Sequence, residues 1–136
     1  MVETALADPT ISLACFRLHT EATATAGTVI RAWFRLLDLR SEGFGLPYGD
    51  QGFALLRRTF DEIGGYPDIP LMEDVELARR CRRRGRIRRL PGRLRTTARR
   101  VERRPIRARV MFATFPLLFR VGLSPDTLAR WYGTVR

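Results

Sequence analysis

Two short acidic clusters stand in a chain that is otherwise strongly basic. Glu73-Asp74 follows Pro70-Leu71-Met72 and opens an arginine-rich run with helical spacing. A carboxylate in the first turn of a helix faces the positive end of the helix dipole, which favours its ionised form. A general base or a metal ligand requires that form. The same spacing allows a structural reading, in which Glu73, Asp74 and Glu76 only cap the helix and pair with Arg79 and Arg80 one turn on. The second cluster is Asp50-Gln51, set between Gly49 and Gly52 and preceded by Tyr48. Flanking glycines let backbone and ligand approach closely. A carboxylate plus an amide can hold sugar hydroxyls, and a plain turn is the alternative. Arg99 and Arg100 follow a strand-like run and could clamp phosphate, or remain solvated. His19 has no spaced Ser, Cys or Asp to form a nucleophilic triad and reads as structural. No GxGxxG and no P-loop occurs.

The elements that must position these residues follow from pattern and punctuation. Ile11 to Leu18 reads as a strand. Thr28 to Leu39 has Val29, Ile30, Trp33, Phe34 and Leu37 at helical spacing, with Arg31, Arg35 and Asp38 opposite. Gly43 to Pro47 breaks that helix. Gly52 to Leu56 is a second strand candidate. Thr59-Phe60-Asp61-Glu62 matches a capping box, opening a short helix that Gly64-Gly65 ends. Glu73 to Arg84 is the clearest helix, with Val75, Ala78 and Cys81 on one face, Leu77 beside it, and Gly85 as cap. Arg86 to Leu90, a Pro91-Gly92 turn and Arg93 to Ala98 read as a hairpin. Ile106 to Val121 reads as a helix that Pro116 kinks. It would either pack on the sheet or lie on a membrane surface. Ser124-Pro125-Asp126 starts a last helix carrying Leu128, Trp131 and Tyr132.

The 136 residues suit one domain with a modest core, and 45% hydrophobic content argues against disorder. All 25 basic residues are Arg, the net charge is +11, and sixteen of the arginines lie between Arg79 and Arg109. A polyanion partner would account for that balance. So would a GC-rich genome that writes Arg wherever Lys would serve. Cys15 and Cys81 lie outside any CxxC pattern, and one His cannot complete a zinc site. They read as buried thiols in a reducing compartment. Met1 to Pro9 lacks the basic start of a signal peptide. No apolar run reaches the roughly 18–20 residues of a spanning helix. The expected location is cytoplasmic, with peripheral contact at the inner face of the membrane if the Ile106 helix lies there.

The central motifs resemble a known family. Tyr48-Gly49-Asp50-Gln51-Gly52, then Phe60 through Gly64-Gly65-Tyr66-Pro67, then Leu71-Met72-Glu73-Asp74-Val75-Glu76-Leu77 resemble the second half of family 2 glycosyltransferases. The likeness is to a small bacterial branch, and it extends to Leu90-Pro91-Gly92, Thr97-Ala98-Arg99-Arg100 and Gly122-Leu123-Ser124-Pro125. Ala14 to Leu18 looks like that branch's strand after the metal-binding region.

The resemblance implies an α/β fold of the GT-A type, here a C-terminal half with a small mixed sheet flanked by helices. Residues 1–104 would be the acceptor-side half and 105–136 a helical tail. It implies inverting transfer of a sugar from a nucleotide-sugar donor to an acceptor hydroxyl. Asp74 would be the base, with Glu73 beside it. Asp50 and Gln51, with Gly49 and Tyr48, would line the acceptor and sugar pocket, and Arg99 or Arg100 would lie near the diphosphate. The family also implies a divalent metal (Mg or Mn) held by an Asp-x-Asp motif in a nucleotide-binding N-terminal half. No Asp-x-Asp occurs in this chain. The expectation is therefore a chain inactive alone, with an open sheet edge, needing a separate N-terminal half as partner. A non-enzymatic basic protein is the competing class, binding nucleic acid or an anionic membrane through Arg79 to Arg109. That stretch lacks interleaved aromatics, which counts against a stacking platform for single strands.

Overall fold

The computed structural model describes residues 1–22, 26–43, 45–97 and 106–133, with main chain alone at 40–43, 107–109 and 112. It is a mixed α/β structure in which helices flank a two-stranded parallel sheet. The elements are α1 (Val2–Leu6), β1 (Ile11–Glu21), α2 (Thr28–Gly43), a 3-10 turn (Gly49–Gln51), α3 (Arg57–Glu62), α4 (Glu73–Arg84), β2 (Arg86–Thr97), α5 (Ile106–Arg120) and α6 (Pro125–Gly133).

The first half of β1 is buried at every position from Ile11 to Cys15, as a strand covered on both faces must be. β2 runs parallel to it, pairing Leu13 with Ile87, Cys15 with Arg89, Arg17 with Arg93 and Thr20 with Thr96. The predicted hairpin is therefore one continuous strand. Pro91 and Gly92 fall in an irregularity opposite Phe16, where β1 advances from Cys15 to Arg17 while β2 advances from Arg89 to Arg93. Proline cannot donate to a ladder and is tolerated at such a bulge. Gly92 fits there because a Cβ would lie 3.2 Å from the Phe16 ring.

The predicted strand at Gly52–Leu56 reduces to one antiparallel bridge between Ala14 and Ala54, closed by two N–H···O bonds of 2.8 Å. Gly52 is held left-handed at φ +66°, and that turn ends extended pairing before it. Among the described residues β2 has no ladder partner but β1, so its outer edge is open.

Helix α3 starts at Arg57, two residues before the predicted cap. Thr59 is buried inside its first turn, where its hydroxyl cannot stand ahead of the helix, so the Thr59–Glu62 capping box does not form. Gly64 and Gly65 do end the helix in left-handed conformations, with the Gly65 N–H donating to the Phe60 carbonyl at 2.8 Å. Helix α2 runs on to Gly43 and presents Phe34 and Asp38, one turn apart, toward β1. Phe34 is buried, and the Asp38 carboxylate accepts from the Thr20 N–H (2.9 Å) and hydroxyl (2.7 Å). That orientation turns Val29, predicted to be apolar-facing, out to solvent. Helix α5 continues through Pro116 to Arg120, and Ser124 caps α6 by accepting from the Thr127 N–H at 3.2 Å.

Helix α4 keeps its predicted limits and is buried on two sides. Leu77, Ala78 and Cys81 join Leu13 in one core, ringed by Phe53, Leu55, Phe60 and Ile87. Val75 joins Phe115, Phe119 and Leu128 in a second. Its C-terminal end docks on β1. The Ser12 hydroxyl donates to the carbonyls of Cys81 (2.7 Å) and Arg86 (3.2 Å), and the Arg86 N–H donates to the Thr10 carbonyl at 2.7 Å. Gly85 lies in this junction, where a Cβ would come within 2.7 Å of the Thr10 carbonyl oxygen. Gly85→Ala should therefore destabilise the chain by about 1–3 kcal/mol, as forced overpacking does. Gly133→Ala, inside α6 with no atom within 4 Å of the new Cβ, should lose no stability. Urea midpoints of the two variants check the contrast.

Candidate functional site

The N-terminus of α4 and the 3-10 turn, distant in sequence, meet in space. The Asp74 Oδ2 accepts from the Gly49 N–H at 2.7 Å, and its Oδ1 accepts from the Val75 N–H at 2.7 Å. A Cβ on Gly49 would lie 3.2 Å from Asp74 Oδ2, so the glycine permits the approach. Inside the turn, the Gln51 Oε1 accepts from the Tyr48 N–H at 3.0 Å, and the Gln51 N–H donates to the Tyr48 carbonyl at 3.0 Å. Gln51 is fully buried and braces the turn from within, whereas Asp50 stays at the surface.

The chain enters α4 through a strained residue. Met72, the N-cap, has φ +68° and ψ 22°, the single left-handed non-glycine position among the described residues. Such a conformation costs an L-residue about 1–2 kcal/mol. Half-buried Met72 packs into the second core, beside Leu71 and Tyr48, and this packing opposes the strain.

Of the three carboxylates in the alternative pairing read from the helix spacing, Glu76 carries it. Glu76 takes Arg79 (3.2 Å) and Arg80 (3.8 Å), Asp74 is committed to the turn, and Glu73 lies exposed beside it. Arg80 also donates to the carbonyls of Ile63 (3.2 Å) and Gly65 (3.3 Å), which fixes the turn leading to Tyr66.

Two further residues belong to this region and were not singled out from the sequence as site residues. Tyr66 packs edge-on against Phe60, with ring centroids 5.8 Å apart. Partial burial pushes its phenol above the usual range, and the charges of Asp74 and Glu73 add to the effect. The left-handed glycine pair ahead of it was the available signal. Asp38 reaches the region electrostatically from α2, and nothing in its helical spacing marked it. The Asp50 carboxyl is held above the ordinary carboxylate range, first by the crowding of surrounding chain and then by the negative charges of Asp74 and Asp38. Asp50 retains exposed surface, so water screens part of this effect.

Other candidates lie elsewhere. Arg99 and Arg100 are outside the described residues. His19 is exposed on β1. Cys15 and Cys81 are buried and unpaired to each other, as expected. Burial raises the Cys15 thiol, against the nearby Arg89 charge, and pushes Cys81 up to about 11, so neither is a ready nucleophile. Among the described residues no three His, Cys, Asp or Glu side chains group into a metal site. A small concavity lined by Ile11, Thr59 and Arg84 lies at the far end of α4, about 15 Å along the helix from Asp74 at 1.5 Å per residue. It is not part of the acidic region. No described helix is long and apolar enough to cross a membrane. A scan against protein-family models, a search of curated proteins and a search of solved structures each return no match.

Two measurements probe this geometry. The folded chain holds the Asp50 proton more tightly than the unfolded chain, so stability falls as pH rises from about 3.9, the unfolded value, through the raised folded value. Asp50→Asn should raise the thermal midpoint at pH 7 and leave it unchanged at pH 3. Met72→Gly should be more stable than Met72→Ala by about 1 kcal/mol, because both lose the same packing and only glycine accepts the left-handed backbone without strain. Equal midpoints for the two Met72 variants would remove the strain.

Proposed function

We propose that this chain forms the acceptor side of a sugar-transferring enzyme of the family 2, GT-A type. One observation carries the reading: the Asp50 turn and the Glu73-Asp74 helix start, the two motifs of the resemblance, converge on the Gly49–Asp74 bond. Separate structural roles for the two motifs would not require that meeting.

In this reading an acceptor hydroxyl lies against Asp74. Each Asp74 oxygen uses one lone pair on a backbone N–H and keeps another for the hydroxyl proton. As the proton moves to the carboxylate, the hydroxyl oxygen forms a bond to the anomeric carbon of the donor. The bond from that carbon to the diphosphate breaks, and the nucleoside diphosphate leaves with the electron pair, inverting the centre. Asp50, its carboxyl raised in the same region, orients an acceptor hydroxyl, and exposed Glu73 lies at the rim. Arg99 or Arg100 faces the leaving diphosphate by resemblance alone. The donor nucleotide is held by a second half, either a partner polypeptide or a further segment. No step is assigned to a metal.

The test is release of nucleoside diphosphate from a panel of UDP- and GDP-sugars by the chain combined with a donor-binding half. Turnover should need both. Asp74→Asn keeps an acceptor for one of the two backbone N–H groups that Asp74 holds, its fold is verified by circular dichroism, and turnover should drop about 10²–10⁴-fold, the range for loss of a positioned base. Unchanged turnover in Asp74→Asn would remove the base assignment.

A further inference from the structure

Helix α5 is apolar on two opposite sides. One side is committed inside the protein: Phe115 and Phe119 are buried against Val75 and Leu128, with Met111 and Leu118 packed around them. On the other side Ile106 is 74% exposed, Val110 52%, Leu117 49% and Val121 81%. The Val121 N–H still donates to the Leu117 carbonyl at 3.1 Å, so the helical path reaches it. At 100° per residue these four positions fall in one stripe, about 160° from Phe115 and Phe119, and the stripe is about 22 Å long.

The sequence reading offered packing on the interior or contact with a membrane as alternatives. The two faces of α5 leave room for both. The residues of α5 include no Asp or Glu, and its charged residues are Arg107, Arg109 and Arg120, in a chain of net charge +11. The neighbouring α6 exposes Trp131, a side chain favoured at the boundary between headgroups and acyl chains.

We propose that α5 docks this chain on an anionic lipid surface, with Ile106, Val110, Leu117 and Val121 entering the boundary between headgroups and acyl chains. Two features favour that occupant over a second copy. A stripe one helix wide offers roughly 200 Å², well short of the roughly 800 Å² per partner of a stable protein interface. Pairing two such helices would also bring together two segments of like charge, with no Asp or Glu in either. An anionic bilayer meets both the apolar stripe and the positive charge. The inference stands independently of the sugar-transfer reading.

The experiment is flotation of the full chain with vesicles of phosphatidylcholine alone and of phosphatidylcholine mixed with phosphatidylglycerol, at low and high salt. Flotation separates bound protein from aggregate. The expected result is binding to the mixed vesicles that weakens with salt and is at least about tenfold weaker on neutral vesicles. The double variant Val110→Asp with Leu117→Asp changes two exposed positions, and circular dichroism and the thermal midpoint verify its fold. It should lose at least about tenfold in vesicle binding. Absence of binding to the mixed vesicles would overturn the proposal. So would a double variant that binds as well as the parent, because the remaining arginines would then suffice. A parent dimer in light scattering that this variant dissociates, without vesicle binding, would assign the stripe to a second copy instead.

Discussion

Helix α4 has to be buried on two sides at once, and the rest of the fold follows from that constraint. Its sequence places Leu77, Ala78 and Cys81 on one side and Val75 on another. One core closes against β1 and α3, the other against α5 and α6. A helix so enclosed cannot leave its terminal polar groups to water alone, and each end finds a partner in a distant segment. The Ser12 hydroxyl meets the carbonyl end, and the Gly49 turn meets the carboxylate at the amide end. At that amide end the docking of α4 also brings Asp74 to the turn that carries Asp50.

The arginines divide by what they touch. Arg79 lies over the Phe119 ring at 5.2 Å, Arg80 ties down the turn after α3, Arg84 pairs with Glu62 at 3.0 Å and Arg89 donates to the Gly45 carbonyl at 2.9 Å. These uses exploit the planar, many-donor guanidinium, which an ammonium would serve poorly. Arg82, Arg83, Arg86 and Arg88 instead stay exposed. Arginines with a structural partner and arginines left exposed thus share one run, and composition alone could not separate them.

Legibility in the sequence tracked how local the cause was. The limits of α4 were readable because acidic residues, apolar spacing and the closing arginines lie within one stretch. The glycine stop after α3 and the Ser124 cap were readable for the same reason. The hairpin reading failed at Pro91-Gly92 because a turn signal and a bulge signal use the same residues, and only the distant Phe16 decides between them. Thr59 failed because burial overrode a good cap sequence. At the site, the carboxylates were visible as residue types. The bond from Asp74 to Gly49, the left-handed Met72 and the approach of Asp38 were not, since each depends on how separate elements dock.

The parallel pairing of β1 with β2 has a kinetic consequence. Ser12 and Arg86 are 74 residues apart in sequence, and so are Glu21 and Arg95 at the other end of the ladder. Closing so long a loop loses chain entropy before any ladder bond returns it. The helices between the strands depend on contacts nearer in sequence, so they are expected to form ahead of the sheet. During synthesis β1 emerges before β2 and stays without its partner until β2 has been made. Over that interval its run of buried apolar residues is open to any other strand, and a chaperone or a companion chain would have its best opportunity to bind.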